Sequence, residues 1–149
     1  MRAVVQRVLA ASVEVEGVVT GEIGDGILVL VGVEEGDQET DIDYIAGKLV
    51  SLRIFDDDDG KLNLSVKDVD GKVLIVSQFT LLGDARRGKR PSYIAAARPE
   101  KGKEYYEKLC AKVAALDVAV ERGIFQADMR VSLVNDGPVT ILLDSKKVF

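Results

Sequence analysis

The 149-residue sequence contains no histidine, no tryptophan, a single cysteine and three prolines. Each scarcity excludes something. Without an imidazole, neither a Ser–His–Asp triad nor a Cys–His dyad can be assembled. Zinc sites built on histidine and several cysteines are excluded as well, and no other metal or cofactor signature is visible. The lone thiol, Cys110, cannot close an internal disulfide, which matches a reducing compartment. No apolar run approaches the ~20 residues that span a bilayer. The longest, Ile27 to Val33, contains Gly32. The opening Met1-Arg2-Ala3-Val4-Val5-Gln6-Arg7 becomes charged too early for an export signal. These features predict a cytoplasmic protein with no membrane partner. Any catalysis must proceed without the commonest base at neutral pH.

What is present describes one folded unit over residues 1–149, with 47% apolar and 30% charged side chains. The net charge of −5 is unevenly spread. Residues 1–82 hold 7 basic and 16 acidic side chains, whereas residues 83–149 hold 13 and 9. Seven of the basic residues fall within 84–103: Arg86, Arg87, Lys89, Arg90, Arg98, Lys101 and Lys103. An acidic total argues against duplex DNA as a partner, since phosphate neutralisation supplies most of that affinity. A local basic patch still suits the end of a polyanion. The plain alternative is a solvated loop.

Hydrophobic periodicity places the elements. Ala3 to Val8 and Ser12 to Glu16 read as strands, with Gly17 punctuating a hairpin to Val18-Val19-Thr20. Gly26 to Val33 and Val73 to Phe79 are apolar on both faces, as strands covered on both sides are. Ile42, Ile45, Ala46, Leu49 and Leu52 recur at helical steps, with Asp37 or Thr40 as cap. A second helix is expected from Pro99 to Leu116, with Tyr106, Leu109, Cys110 and Val113 inward. Cys110 then reads as inert core. Arg53 to Phe55 and Lys61 to Leu64 flank an Asp-Gly hairpin tip. Three strands finish the chain, at 118–120, 129–134 and 139–143. The predicted class is mixed α/β: two β layers with helices on one side, and an apolar β face left for a second copy.

Two familiar signals fail. Gly83 to Lys89 matches the first seven positions of a phosphate-binding P-loop, but Arg90 stands where a hydroxyl must meet magnesium and Pro91 follows. A calcium loop centred on Gly60 would take Phe55 and Val66 as its terminal ligands.

Two other segments carry groups that packing alone does not require. Ser77-Gln78-Phe79-Thr80 puts two hydroxyls and an amide at the end of a buried strand, where sites of α/β proteins usually lie. Satisfying local backbone groups is the ordinary use of such residues. Asn135-Asp136-Gly137-Pro138-Val139-Thr140 interrupts two strong strands with residues that also suit a plain turn.

With these segments the chain resembles the D-aminoacyl-tRNA deacylases. The likeness runs through Met1 to Val8, Leu52 to Phe55, Gly60 to Asn63, Ser77 to Leu81, Gly88 to Tyr93 and Val134 to Thr140. One departure is Gln126, in Phe125-Gln126-Ala127, where many relatives have glycine. The resemblance implies a homodimer that hydrolyses the ester of D-aminoacyl-tRNA, and of glycyl-tRNA, releasing free tRNA. It implies a cis Gly137–Pro138 peptide that reaches into the partner subunit and rejects L-aminoacyl groups, with Arg7 holding the turn. On this reading Ser77, Gln78, Phe79 and Thr80 form the catalytic segment. Backbone N–H groups of Phe79 and Thr80 serve as an oxyanion hole. Thr80 is the natural candidate nucleophile, but an unassisted hydroxyl is weak, and activation by the vicinal ribose hydroxyl is favoured. Phe79, Phe125 and Met129 are candidates to line the terminal adenosine slot, and Asn135 joins the substrate-binding group. Arg86, Arg87, Lys89 and Arg90 would meet tRNA phosphates. The competing readings are a non-catalytic tRNA 3′-end-binding dimer and a purely structural dimerisation domain.

Overall fold

The alternation that begins at Arg2 does not stop at Val8. In the computed structural model, which describes residues 1–149, one strand β1 runs from Arg2 to Val15. The two segments expected there are therefore continuous. A bulge near Leu9 and Ala10, marked by shifts in the pairing with the last strand, keeps apolar residues inward along the whole length. Beyond the bulge β1 changes cores: Ala3 and Val5 belong to the larger cluster, Val8, Ala11 and Val13 to the smaller.

Strand β2 (Val18–Ile23) turns back on β1, and β3 (Gly26–Gly32) pairs with the other half of β1. Helix α1 (Glu39–Ser51) follows. Its entry is at Gln38, whose N–H donates to Asp41 Oδ2 at 2.7 Å, rather than at Asp37 or Thr40. Asp37 is turned inward instead and accepts from the Met1 ammonium and the Glu34 N–H. The short strands β4 (Phe55–Asp56) and β5 (Leu62–Leu64) make the expected hairpin. Its tip is organised by Asp57, which accepts from the N–H groups of Asp59 and Lys61 and from Asn63 Nδ2.

Strand β6 (Lys72–Ser77) lies parallel to β3, and helix α2 (Pro99–Ala115) leads to β7 (Val120–Arg122), parallel to β6. The third-last strand thus begins two residues later than its hydrophobicity suggests, because Val118 is spent on the helix-side core. The last strand, β8 (Arg130–Asp144), runs antiparallel to nearly all of β1.

The β layers anticipated from sequence are hydrogen-bonded parts of one six-stranded sheet, ordered β2-β1-β3-β6-β7, with β8 on the free edge of β1. Period-2 patterning explains why β3 and β6 look apolar throughout. Ile27, Val29, Val31, Val73 and Ile75 face the helices, whereas Leu28, Leu74 and Val76 face the second cluster with Val13 and Ile23. Both faces of these central strands are covered. At the helix side Tyr106 donates from its hydroxyl to the Ile75 carbonyl at 2.8 Å. No helix is long and apolar enough to cross a membrane.

Candidate active site

The chain leaves β6 at Ser77, two residues before the expected end of that strand, and winds into a 3-10 turn over Phe79–Leu82. The turn is anchored on β3, where the Gln78 N–H donates to the Val31 carbonyl at 2.7 Å. Gly32 permits that approach. A Cβ there would stand 2.5 Å from Leu82 Cδ2 and 2.9 Å from the Gln78 carbonyl oxygen. From the other side, Arg2 donates to the Leu81 carbonyl at 3.2 Å while its Nε meets Asp144 at 3.1 Å.

Short helical turns leave their first N–H groups unspent. The Leu81 and Gly83 N–H groups are used within the turn, on the Gln78 and Thr80 carbonyls, but those of Phe79 and Thr80 find no acceptor in the protein. They sit beside the exposed Thr80 hydroxyl at the carboxyl end of a parallel strand. Thr80 Oγ1 accepts from the Gln78 side-chain amide. An amide is no base, and no titratable group is hydrogen-bonded to that hydroxyl.

The second segment is one strand and not two. β8 continues from Arg130 to Asp144, but its pairing jumps from Gln6–Thr140 to Val8–Asn135, so residues 136–139 bulge from the ladder. The Gly137–Pro138 peptide is cis. Asn135 closes the base of the bulge by donating from Nδ2 to the carbonyls of Arg7 (2.9 Å) and Val139 (3.0 Å). Its amide nitrogen is thereby committed to the fold. Gly137 has φ +115°, and a Cβ on it would lie 3.0 Å from Arg7 Nη2.

Arg7 is 7% exposed. It donates to the Ile54 carbonyl at 2.8 Å, and its Nε is 3.0 Å from Asp136 Oδ2, with Asp56 at 3.7 Å. The Nε–H is not aligned on Asp136, which leaves that buried nitrogen without a true hydrogen bond. Asp56, Asp136 and the Ile54 carbonyl are partners that sequence reading missed. Only their positions in turns hinted at them.

The remaining candidates are more dispersed. Phe79 has Tyr93 as ring partner, 5.2 Å between centroids at 70°. Phe125 packs on Tyr106 at 6.1 Å, and Met129 belongs to the edge of the smaller core. Gln126 has φ +63°, the left-handed region where glycine is at ease. In the basic loop Arg86 is folded back on Asp84, with Nη2 to Oδ2 at 2.7 Å. The guanidinium holds the Asp84 carboxyl well below the usual range. Arg87, Lys89 and Arg90 are exposed and pair with no carboxylate. Cys110 is buried, and burial pushes its thiol up to about 11.

Residues 4–144 match the family model described as D-Tyr-tRNA(Tyr) deacylase. Proteins called D-aminoacyl-tRNA deacylase from Koribacter versatilis and Fervidobacterium nodosum are each 60% identical over 149 residues, covering all of both chains. Among solved structures, one titled c-Myc DNA Unwinding Element Binding Protein superposes with TM-score 0.91 at 37% identity, covering 97% of this chain and 98% of that one. Another, titled as a probable eukaryotic D-amino acid tRNA deacylase, has TM-score 0.80 at 17% identity, covering 95% and 97%, and speaks for the fold alone. Fold, family match and relatives together define the class: a mixed α/β hydrolase of the deacylase type. The chain belongs to the D-Tyr-tRNA(Tyr) deacylase family.

Proposed function

We propose that this chain cleaves the ester between a D-amino acid and the terminal ribose of tRNA, and also cleaves glycyl esters. The observation that carries the reading is the pair of unspent N–H groups at Phe79 and Thr80, beside a hydroxyl with no base. Water adds to the ester carbonyl, the carbonyl oxygen becomes an oxyanion facing those two donors, and the carbon–oxygen bond to ribose then breaks. The ribose oxygen takes the proton released by water. An aminoacyl ester is already activated, so donors worth ~3–4 kcal/mol each supply much of the barrier reduction. The vicinal ribose hydroxyl orients and activates the water, while Ser77, Gln78 and Thr80 position groups without attacking. Phe125 and Met129 wall the slot for the terminal adenosine, with Phe79 at its mouth.

Stereochemical selection comes from exclusion at the Gly137–Pro138 bulge, whose carbonyls meet the Cβ of an L-aminoacyl group. Glycine has no Cβ and passes. Arg7 and Asn135 hold the bulge in place. Exposed Leu9, Val134 and Leu142 lie along the β1–β8 pair that carries it, which favours a homodimer formed through this face. Arg87, Lys89 and Arg90 meet phosphates of the acceptor end.

The test is release of amino acid from D- and L-tyrosyl-tRNA by the pure protein. Cleavage of the D-ester alone is expected. Equal cleavage of both removes the chiral selection, and retention of tRNA without cleavage leaves only an RNA-end binder.

A further inference from the structure

Phe79, Tyr93 and Ile94 form an exposed apolar ledge beside the 3-10 turn, and ester hydrolysis leaves Tyr93 and Ile94 without a task. Phe79 is 58% exposed, Tyr93 39% and Ile94 93%. The ledge stands on ordered backbone. Asp84 and Ser92 exchange two backbone hydrogen bonds, of 2.8 and 2.9 Å, which close the basic loop at its base. The segment just after is fastened to the chain that follows β3: the Glu35 N–H donates to the Ala95 carbonyl at 3.0 Å, and the Ala97 N–H to the Val33 carbonyl at 2.9 Å. The Tyr93 ring lies so close to Gly83 that a Cβ there would be 2.9 Å from Cε1. An isoleucine is thus held out in water by a fixed backbone, next to an exposed ring pair. Arg87, Lys89 and Arg90, the unpaired cations, belong to the loop that this same bridge closes. Exposed rings beside free cations are the chemistry of single-stranded nucleic acid binding, where bases stack on apolar surfaces and the backbone is held by charge.

We propose that Tyr93 and Ile94 receive the base of the unpaired nucleotide immediately 5′ of the esterified adenosine. This rests on the reading of the site as an aminoacyl-tRNA esterase. Tyr93 is a positioning residue here: it holds the RNA end so that the ester arrives at the Phe79 and Thr80 donors, and it does not touch the reacting atoms.

Two substrates separate this contact from the chemistry: D-tyrosyl-tRNA, and D-tyrosyl-adenosine, which lacks the 5′ nucleotide. Tyr93→Ala and Ile94→Ser should each raise KM for D-tyrosyl-tRNA, Tyr93→Ala by about tenfold, with kcat unchanged. Neither should alter KM for D-tyrosyl-adenosine, and Tyr93→Phe, which keeps the ring, should behave as the unmodified chain. Equal losses on both substrates, or no loss on either, overturn the proposal. So does a fall in oligomeric mass on Ile94→Ser, which would assign the ledge to a second copy of the chain. Failure of the underlying reading looks different: the unmodified chain then cleaves neither ester, and the proposal falls with it.

Discussion

Thr80 is hydrogen-bonded by a group that cannot take its proton. A positioning hydroxyl contributes about one hydrogen bond, so Thr80→Val should lower kcat by roughly tenfold or less. A loss of about 10⁴-fold or more, restored by Thr80→Ser, would show a nucleophile instead. Gln126 invites a different measurement. A non-glycine residue in the left-handed region costs ~1–2 kcal/mol, partly offset by the extra freedom glycine has when unfolded. Gln126→Gly should therefore raise the unfolding free energy by roughly 0.5–1 kcal/mol, read from denaturant midpoints. Cys110 should resist thiol reagents at pH 8 in the native protein and react once unfolded, because burial shields the thiol and pushes it up to about 11. Cys110 behaves as its sequence position suggested, on the apolar stripe of a helix. The left-handed turn at Gln126 was foreshadowed only by the glycine of relatives.

Among the elements, the 3-10 turn depends on the absence of a side chain at Gly32. Gly32→Ala places a methyl 2.5 Å from Leu82 and 2.9 Å from the Gln78 carbonyl, so the turn must move off β3. Overpacking of this kind costs ~1–3 kcal/mol. Because the displaced turn carries the Phe79 and Thr80 donors, kcat should fall along with thermal stability. A variant that is destabilised but fully active would detach the turn from catalysis. The strands and both helices were legible, since periodicity reports which face is buried. Less legible were continuity and ends. The pattern in β1 and β8 breaks where bulges occur, so each long strand reads as two. The last two residues assigned to β6 are apolar and amide-bearing but belong to a turn, because hydrophobicity does not distinguish a strand end from a tight helical turn packed on the same core. The Arg7–Asp136–Asn135 cluster was legible only in part. Arg7 and Asn135 stood in recognisable segments, but their joining required β1 and β8 to lie side by side.

For the whole molecule, the proposed contact with RNA depends on how charge is distributed. A net charge of −5 disfavours broad association with polyanions, while three unpaired cations on one closed loop favour a local contact. Neutralising Arg87, Lys89 and Arg90 together should weaken tRNA binding and reduce the slope of log K against log salt by roughly 2–3. Neutralising Arg86 should do less, since Asp84 already holds it. An unchanged slope would make the loop a solvated surface. The absence of histidine bears on the proposed mechanism as a whole. On the proposed mechanism, with no imidazole in the chain and no base hydrogen-bonded to Thr80, the work passes to backbone donors and to the substrate's own ribose. That division is tested most directly by D-tyrosyl-tRNA whose terminal adenosine has hydrogen in place of the hydroxyl vicinal to the ester. Hydrolysis should fall by roughly 10²-fold or more while binding is retained, the scale of a lost general base. An unchanged rate would contradict the account and return catalysis to a side chain of the protein.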